Sequence, residues 1–211
     1  MPDLQIIGAP QSNFVWACRI ACGEKRVPYE LIPVFPHTPE AEAIHPLGKI
    51  PAMRHGDVTL YESRAILHYI DHAFPGAPLA PRDPVGGALV EQWISLHNTA
   101  IDPLLLRQYG LAYVFPGTSD GSPDRARIDA ALPKMGPHFA LLDRAVATTG
   151  FLVGDKLTLA DITVLPLLYY MTKFPESSAM LAAKPALSAY VETLLARPAI
   201  ADTIPPPMPT R

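Results

Sequence analysis

Ser12 lies in the run Pro10-Gln11-Ser12-Asn13, between a short apolar stretch, Leu4 to Ile7, and a helical pattern that begins near Val15. A hydroxyl there stands beside a helix N-terminus, where amides and the macrodipole favour an anion. It can donate a hydrogen bond to a thiolate, or it can simply cap the helix. A second segment, Leu47-Gly48-Lys49-Ile50-Pro51-Ala52, brings a proline into a strand after a glycine loop. Pro51 is a candidate cis proline. It leaves the backbone of Ile50 exposed, so that a peptide-like ligand could pair with it as an added strand. Lys49 could meet a carboxylate. The plainer alternative is a proline that opens an edge strand. In a third segment, Leu60-Tyr61-Glu62-Ser63-Arg64-Ala65-Ile66, Glu62 and Ser63 stand at a helix start. Helix amides and the Ser63 hydroxyl can hold a carboxylate while Glu62 pairs with an ammonium. An amino acid's α-carboxylate and α-amine need that combination; the alternative is Ser63 as an ordinary N-cap.

These segments need a scaffold, and the hydrophobic pattern supplies one. Leu4 to Ile7 reads as a strand ending at Gly8-Ala9-Pro10. Val15 to Lys25 reads as a helix with Val15, Cys18 and Cys22 on one face, and Tyr29 to Val34 as a second strand. This β-α-β order favours a parallel pair with a right-handed crossover. One helical turn is expected at Glu40 to Ile44. Ile50 to Arg54 and Val58 to Tyr61, joined by His55-Gly56-Asp57, form a hairpin signal, and Ser63 to Ala73 is an amphipathic helix ended by Pro75-Gly76. A mixed sheet with helices on its faces follows.

Residues 75–87 carry several prolines and glycines without periodicity and read as a linker between a domain at 1–74 and an all-helical domain at 88–211. The second part shows long helical stretches at Leu89 to Tyr113 and at Asp124 to Thr148, the latter bent or broken near Pro133 and Pro137. Further helices start at Leu159 and Pro185. Thr158 and Asp161 have capping-box spacing, with Leu157 and Ile162 placed as a hydrophobic staple; Pro166 is expected to kink the helix they start. The tail Ile204 to Arg211, with four prolines, reads as an extended or frayed end.

The 211 residues carry 17 Lys and Arg against 20 Asp and Glu, a net charge of -3, which supports no nucleic-acid partner and no basic membrane-surface helix. No apolar run reaches membrane-spanning length. Met1 to Ile7 lacks the pattern of a secretory leader, so a cytoplasmic location is expected. Two cysteines make no disulfide framework. Cys18 and Cys22 lie well inside a helix on its apolar face, and burial as small hydrophobes suits them better than redox work. The seven histidines show no metal-ligand spacing, and no metal is expected.

In order and spacing, Ile50-Pro51-Ala52 followed by Glu62-Ser63-Arg64-Ala65-Ile66 resembles the glutathione-binding signature of the cytosolic glutathione transferases. The resemblance extends through Pro28-Tyr29-Glu30, the linker, Glu91-Gln92-Trp93 and Gly154-Asp155-Lys156-Leu157-Thr158-Leu159-Ala160-Asp161-Ile162, nearly the whole chain. It implies a thioredoxin-like domain followed by an α-helical bundle domain, assembled as a homodimer. It also implies that glutathione is the co-substrate. Glu62 and Ser63 would hold its γ-glutamyl end, Ile50 its cysteinyl backbone beside cis-Pro51, and Lys49, with His37, its glycyl carboxylate.

Ala9-Pro10-Gln11-Ser12-Asn13 is similar to the serine-using branches, especially the phi class and its bacterial relatives. Ser12 is then the thiol-activating residue, with Asn13 as the alternative donor. The activity implied is conjugation of the glutathione thiolate to a mostly apolar electrophile, as in detoxification. That second substrate is expected between the two halves, lined by Tyr109, Tyr113 and Phe115; ordinary helix packing is the competing account of each. Arg107 and His97 could face the same cleft or solvent, and Arg64 and Tyr69 could serve the dimer interface or a solvated helix face. Two other functions share the scaffold: a glutathione-dependent peroxidase or reductase, and a noncatalytic glutathione-binding scaffold protein.

Overall fold

Leu4–Ile7 forms strand β1 at the centre of a four-stranded sheet. The computed structural model describes residues 2–118 and 120–207. Strands β2 (Glu30–Ile32), β3 (Ala52–His55) and β4 (Val58–Tyr61) complete the sheet in the order β2-β1-β3-β4. β1 is parallel to β2, because helix α1 (Asn13–Glu24) carries the chain back between them. β3 is antiparallel to both β1 and β4. Gly56, at φ 55°, makes the tight β3–β4 turn in a conformation that side chains resist.

The pleat sends alternate side chains to opposite faces. Ile6 and Met53, opposite one another, are fully buried, as are Val15, Trp16 and Ile20 of α1 and Ile66, Leu67 and Ile70 of α3 (Ser63–Ala73), which pack helix to helix. On the other face Ile7 and Ala52 join Val34 and Ala41 of the single-turn helix α2 (Pro39–Glu42).

The ends of α1 and α3 are held by a buried ion pair. Lys25 Nζ lies 3.6 Å from Asp71 Oδ1 and donates to the carbonyls of Asp71 and Ala77 at 3.1 and 3.4 Å. Asp71 Oδ1 also accepts from the Leu79 amide at 2.6 Å. Removing one member of such a pair strands the other charge. Lys25→Met is expected to cost about 3–5 kcal/mol in urea unfolding, and Lys25→Met/Asp71→Asn is expected to recover a large part of it.

The chain divides into two compact units, Met1–Ala80 with Ala196–Arg211, and Pro81–Leu195. This corrects two expectations. Residues 84–87 are not linker: Asp83 accepts from the Gly86 amide at 2.8 Å and starts helix α4 (Pro84–Leu96), with Pro84 at a position where no N–H is needed. The segment from Ala196 belongs with the sheet and not with the helices. Ile204 to Pro207 is neither helix nor strand, and residues 208–211 of the expected extended tail lie outside the described residues.

In the second unit α4 runs into two π-helical stretches, His97–Ile101 and Pro103–Gly110, then α5 (Leu111–Val114). Pro103, which lacks an N–H and crowds the preceding turn, opens the second widened stretch. Helix α6 (Arg125–Val146) runs unbroken through Pro133 and Pro137, contrary to a break there. Both prolines are exposed, so the carbonyls that lose a donor face water. Helix α7 (Leu159–Met171), continuous through Pro166, is buried at nearly every position. Helices α8 (Pro175–Ala182) and α9 (Pro185–Leu195) pack around it; α10 (Pro198–Ala201) is part of the first unit.

His97, a possible cleft residue by sequence, is fully buried, while Arg107 is half-exposed and bonded to Asp102 at 2.8 Å. Burial lowers the His97 pKa to about 4, against a partly opposing pull from the Asp102 carboxylate. Between that value and the unfolded value near 6.5 the unfolded chain binds the extra proton, so stability falls as pH falls through this window. The loss on going from pH 7 to pH 4.5 is expected to be about 2.5 kcal/mol. Urea titrations of the wild type and His97→Gln at both pH values check it: the variant should lack that part of the slope.

Candidate functional site

The sheet register brings the three chemical segments together. Ile7 of β1 stands opposite Ala52 of β3, and Ala52 stands opposite Tyr61 of β4. Neighbouring strands are about 4.8 Å apart. The chain leaves Ile7 towards Ser12, enters Ala52 from Pro51, and leaves Tyr61 towards Glu62 and Ser63. All three segments therefore emerge at one end of the sheet. Ile32 pairs with Ile7 from the other side, which adds the loop carrying His37.

Gly8 makes the first two segments touch. A Cβ there would lie 2.5 Å from Val15 Cγ2 and 3.1 Å from Ile50 Cβ, at a φ of 149°. Ser12 is the N-cap of α1, and its Oγ accepts from the Val15 amide at 3.4 Å. That bond uses a lone pair and leaves the hydroxyl proton able to point outward. Ser12 is partly exposed; Asn13, the alternative donor, is buried in the first turn.

The Ile50–Pro51 bond is cis, as the glycine-loop context suggested. Pro51 is buried and Ile50 partly exposed. Lys49 is exposed, and the adjacent Gly48 carbonyl accepts from the His37 amide at 2.7 Å, so His37 and Lys49 share one corner of the loop cluster. His37 has a φ of 60°.

Glu62 is the N-cap position of α3 and has a φ of 68°, a left-handed conformation that costs a non-glycine residue on the order of 1–3 kcal/mol. Its side chain makes no cap bond to the first turn. Instead its carboxylate lies 3.5 Å from Nε2 of His45. His45 is buried, and its Nδ1 accepts from the Leu47 amide at 3.0 Å, which leaves the proton on Nε2 to face Glu62. His45 is a site residue that sequence reasoning missed. Its ring also lies against Tyr61, 4.8 Å between centroids. Ser63 is nearly buried behind Glu62 at the helix start.

The aromatic residues expected to line a second pocket have different fates within the helical unit. Tyr109 is wholly buried. Its hydroxyl donates to Glu176 Oε2 at 3.0 Å and accepts from the Ser177 amide at 3.0 Å, which leaves no surface for a ligand. On this helix the apolar side simply packs inward. Tyr113 is partly exposed, stacks on Phe174 at 4.9 Å, and hydrogen-bonds the same carboxylate. Glu176 also takes Arg125 at 2.7 Å. Partial burial opposes its ionisation, but the Tyr113 and Arg125 hydrogen bonds prevail and hold its pKa at about 2. Phe115 is half-exposed. Cys18 and Cys22 are in the core of the first unit; burial pushes the Cys22 thiol up to about 12 and also raises the Cys18 thiol well above its ordinary value, so neither supplies a thiolate.

A mixed four-stranded sheet with a cis proline leading into β3, a hydroxyl at the first helix and an acid–serine pair at the third make the first unit thioredoxin-like. Two family models match the chain: "Glutathione S-transferase, N-terminal domain" over residues 6–78 and "Glutathione S-transferase, C-terminal domain" over residues 102–198. Glutathione S-transferase 3 of Zea mays is 30% identical, with 98% of each chain covered. The crystal structure of glutathione transferase F7 from Populus trichocarpa matches with a TM-score of 0.85 at 29% identity, covering 95% of this chain and 97% of that one. The theta class enzyme of Xanthomonas axonopodis pv. citri, solved with glutathione bound, matches with a TM-score of 0.82 at 28% identity, covering 97% and 98%. The chain belongs to the glutathione S-transferase family.

Proposed function

We propose that this transferase binds glutathione across the loop cluster at the end of its sheet and conjugates it, through Ser12, to a mostly apolar electrophile. The observation that carries the reading is the row Ile7, Ala52, Tyr61, which gathers Ser12, cis-Pro51 and Glu62-Ser63 at one end of the sheet. Glu62 takes the γ-glutamyl ammonium and Ser63 with the α3 amides its carboxylate. The Ile50 backbone pairs with the cysteinyl residue. Lys49 and His37 face the glycyl carboxylate.

The thiol proton leaves to solvent, and the thiolate is held by the Ser12 hydroxyl at the positive end of α1. Sulfur then forms a bond to the electrophilic carbon, whose leaving group departs with the electron pair. Where the electrophile adds without a leaving group, solvent returns a proton. Ser12 itself forms no covalent bond.

The enzyme is proposed to act as a cytoplasmic homodimer. A shallow groove along the outer face of α3, lined by Arg64, Ala65, His68, Tyr69 and His72, supports that assembly. The Tyr69 hydroxyl is fixed there by His55 at 2.8 Å.

The test is a pH titration of bound glutathione by thiolate absorbance. A bound thiol well below the free value of about 8.5 is expected. Binding without any shift would reduce the protein to a glutathione carrier.

A further inference from the structure

We infer that the segment 197–207 is a positioning element for the Ser12 loop, and that Thr203 and Arg197 are its anchoring residues; this rests on the role of Ser12 proposed above. Three tethers join that segment to the stretch from Gln11 to Glu24, in antiparallel order. At the far end of α1, Arg197 forms a two-pronged ion pair with Glu24, Nε to Oε1 at 2.9 Å and Nη2 to Oε2 at 2.7 Å. In the middle, the fully buried Trp16 donates its indole N–H to Thr203 Oγ1 at 3.0 Å. The Thr203 hydroxyl in turn donates to the carbonyl of Ala199 or Ile200, at 3.1 or 3.0 Å. At the near end, Gln11 Nε2 makes a long bond of 3.4 Å to the Pro207 carbonyl.

The tethers bracket Ser12. Gln11 precedes it directly, and the Trp16 amide donates to the Ser12 carbonyl at 2.9 Å. Any rotation of Trp16 therefore reaches the Ser12 backbone through the first turn of α1. The approach is close: a Cβ on Gly23 would lie 3.0 Å from the Ala199 carbonyl oxygen and 3.2 Å from Ala199 Cβ. Thr203 is mostly buried, and its hydroxyl accepts the indole N–H away from solvent. The direction of a hydroxyl decides how well it bonds a thiolate, because hydrogen bonds weaken steeply off line. A segment that fixes the first turn of α1 fixes that direction.

The experiment uses the full chain, with glutathione as the probe. Bound-thiol pKa, glutathione Kd and the urea midpoint are measured for the wild type, Thr203→Val, Thr203→Ser and Glu24→Gln. Thr203→Val keeps the shape and removes the hydroxyl. It is expected to raise the bound-thiol pKa by about half a unit or more while Kd, measured near pH 5.5 where the bound thiol is protonated in both proteins, changes less than about twofold. Thr203→Ser restores the hydroxyl and is expected to restore the pKa. Glu24→Gln loosens the part-buried tether at the far end of α1 and is expected to move the pKa in the same direction. A lower urea midpoint with the pKa unchanged in both Thr203→Val and Glu24→Gln would make the segment merely structural and overturn the inference. If Thr203→Val does not fold, Glu24→Gln alone decides. A wild-type thiol already at its free pKa would remove the reading of Ser12 and this inference with it.

Discussion

Asp161→Ala is expected to destabilise the protein by about 4 kcal/mol, the largest single loss in the helical unit. Asp161 is completely buried. One oxygen accepts from the Leu152 amide at 2.9 Å and the Tyr190 hydroxyl at 3.1 Å. The other accepts from the Thr158 amide at 2.8 Å and the Thr158 hydroxyl at 2.9 Å. Burial raises its pKa, and the four donated bonds oppose that rise. Alanine would leave four buried donors without this acceptor, and each orphaned group costs about 1–3 kcal/mol before relaxation or water entry. It would also remove the capping box of α7, the helix at the centre of the unit. Asp161→Asn keeps one acceptor oxygen and is expected to lose about half as much. Urea unfolding of both variants at pH 7 tests this; a loss near 1 kcal/mol for Asp161→Ala would reduce the residue to an ordinary cap.

Ser12→Ala is expected to cut turnover about 25-fold at pH 7 if Ser12 lowers the bound thiol by about two units. At a bound-thiol pKa near 6.5 roughly three quarters is thiolate at neutral pH; at 8.5 only about 3% is. The sign with pH follows from the same numbers. Both enzymes become fully ionised as pH rises, so the deficit should shrink steadily and largely vanish near pH 9.5. A thiolate of higher pKa is also the better nucleophile, which helps the variant there. Glutathione affinity at pH 7 should fall only about fourfold, the share that thiolate stabilisation contributes by linkage, because Glu62, Ser63 and Ile50 are untouched. Steady-state rates with a model electrophile, alongside direct glutathione binding, check both parts. A deficit that stays constant across pH would place the hydroxyl's action in a step other than ionisation.

Local signals made much of this molecule legible. β1, the glycine turn at Gly56, the α3 boundaries and the Thr158–Asp161 capping box each depend on residues only a few positions apart. The candidate site was legible as three segments, because each carries its own turn or cap chemistry. What joins them is the register Ile7–Ala52–Tyr61, which no local pattern encodes. His45 was missed for the same reason: it reaches Glu62 only after β3 and β4 have paired. Tyr109 was misjudged because a tyrosine can pack inward once its hydroxyl finds Glu176 and Ser177 far along the chain. The unit boundary failed most plainly. Trp16 and Thr203 are 187 residues apart, and a frayed tail has the same composition as a docked one.

That separation sets an order of events during synthesis. The sheet and α1 leave the ribosome early, but residues 81–195 must be translated before Thr203 exists. At about 5–20 residues per second this takes on the order of ten seconds. Throughout that interval the Trp16 indole lacks its Thr203 acceptor and Glu24 lacks Arg197. The nascent first unit is thus incomplete while the whole second unit is being made, and the two halves cannot mature as independent beads on a string.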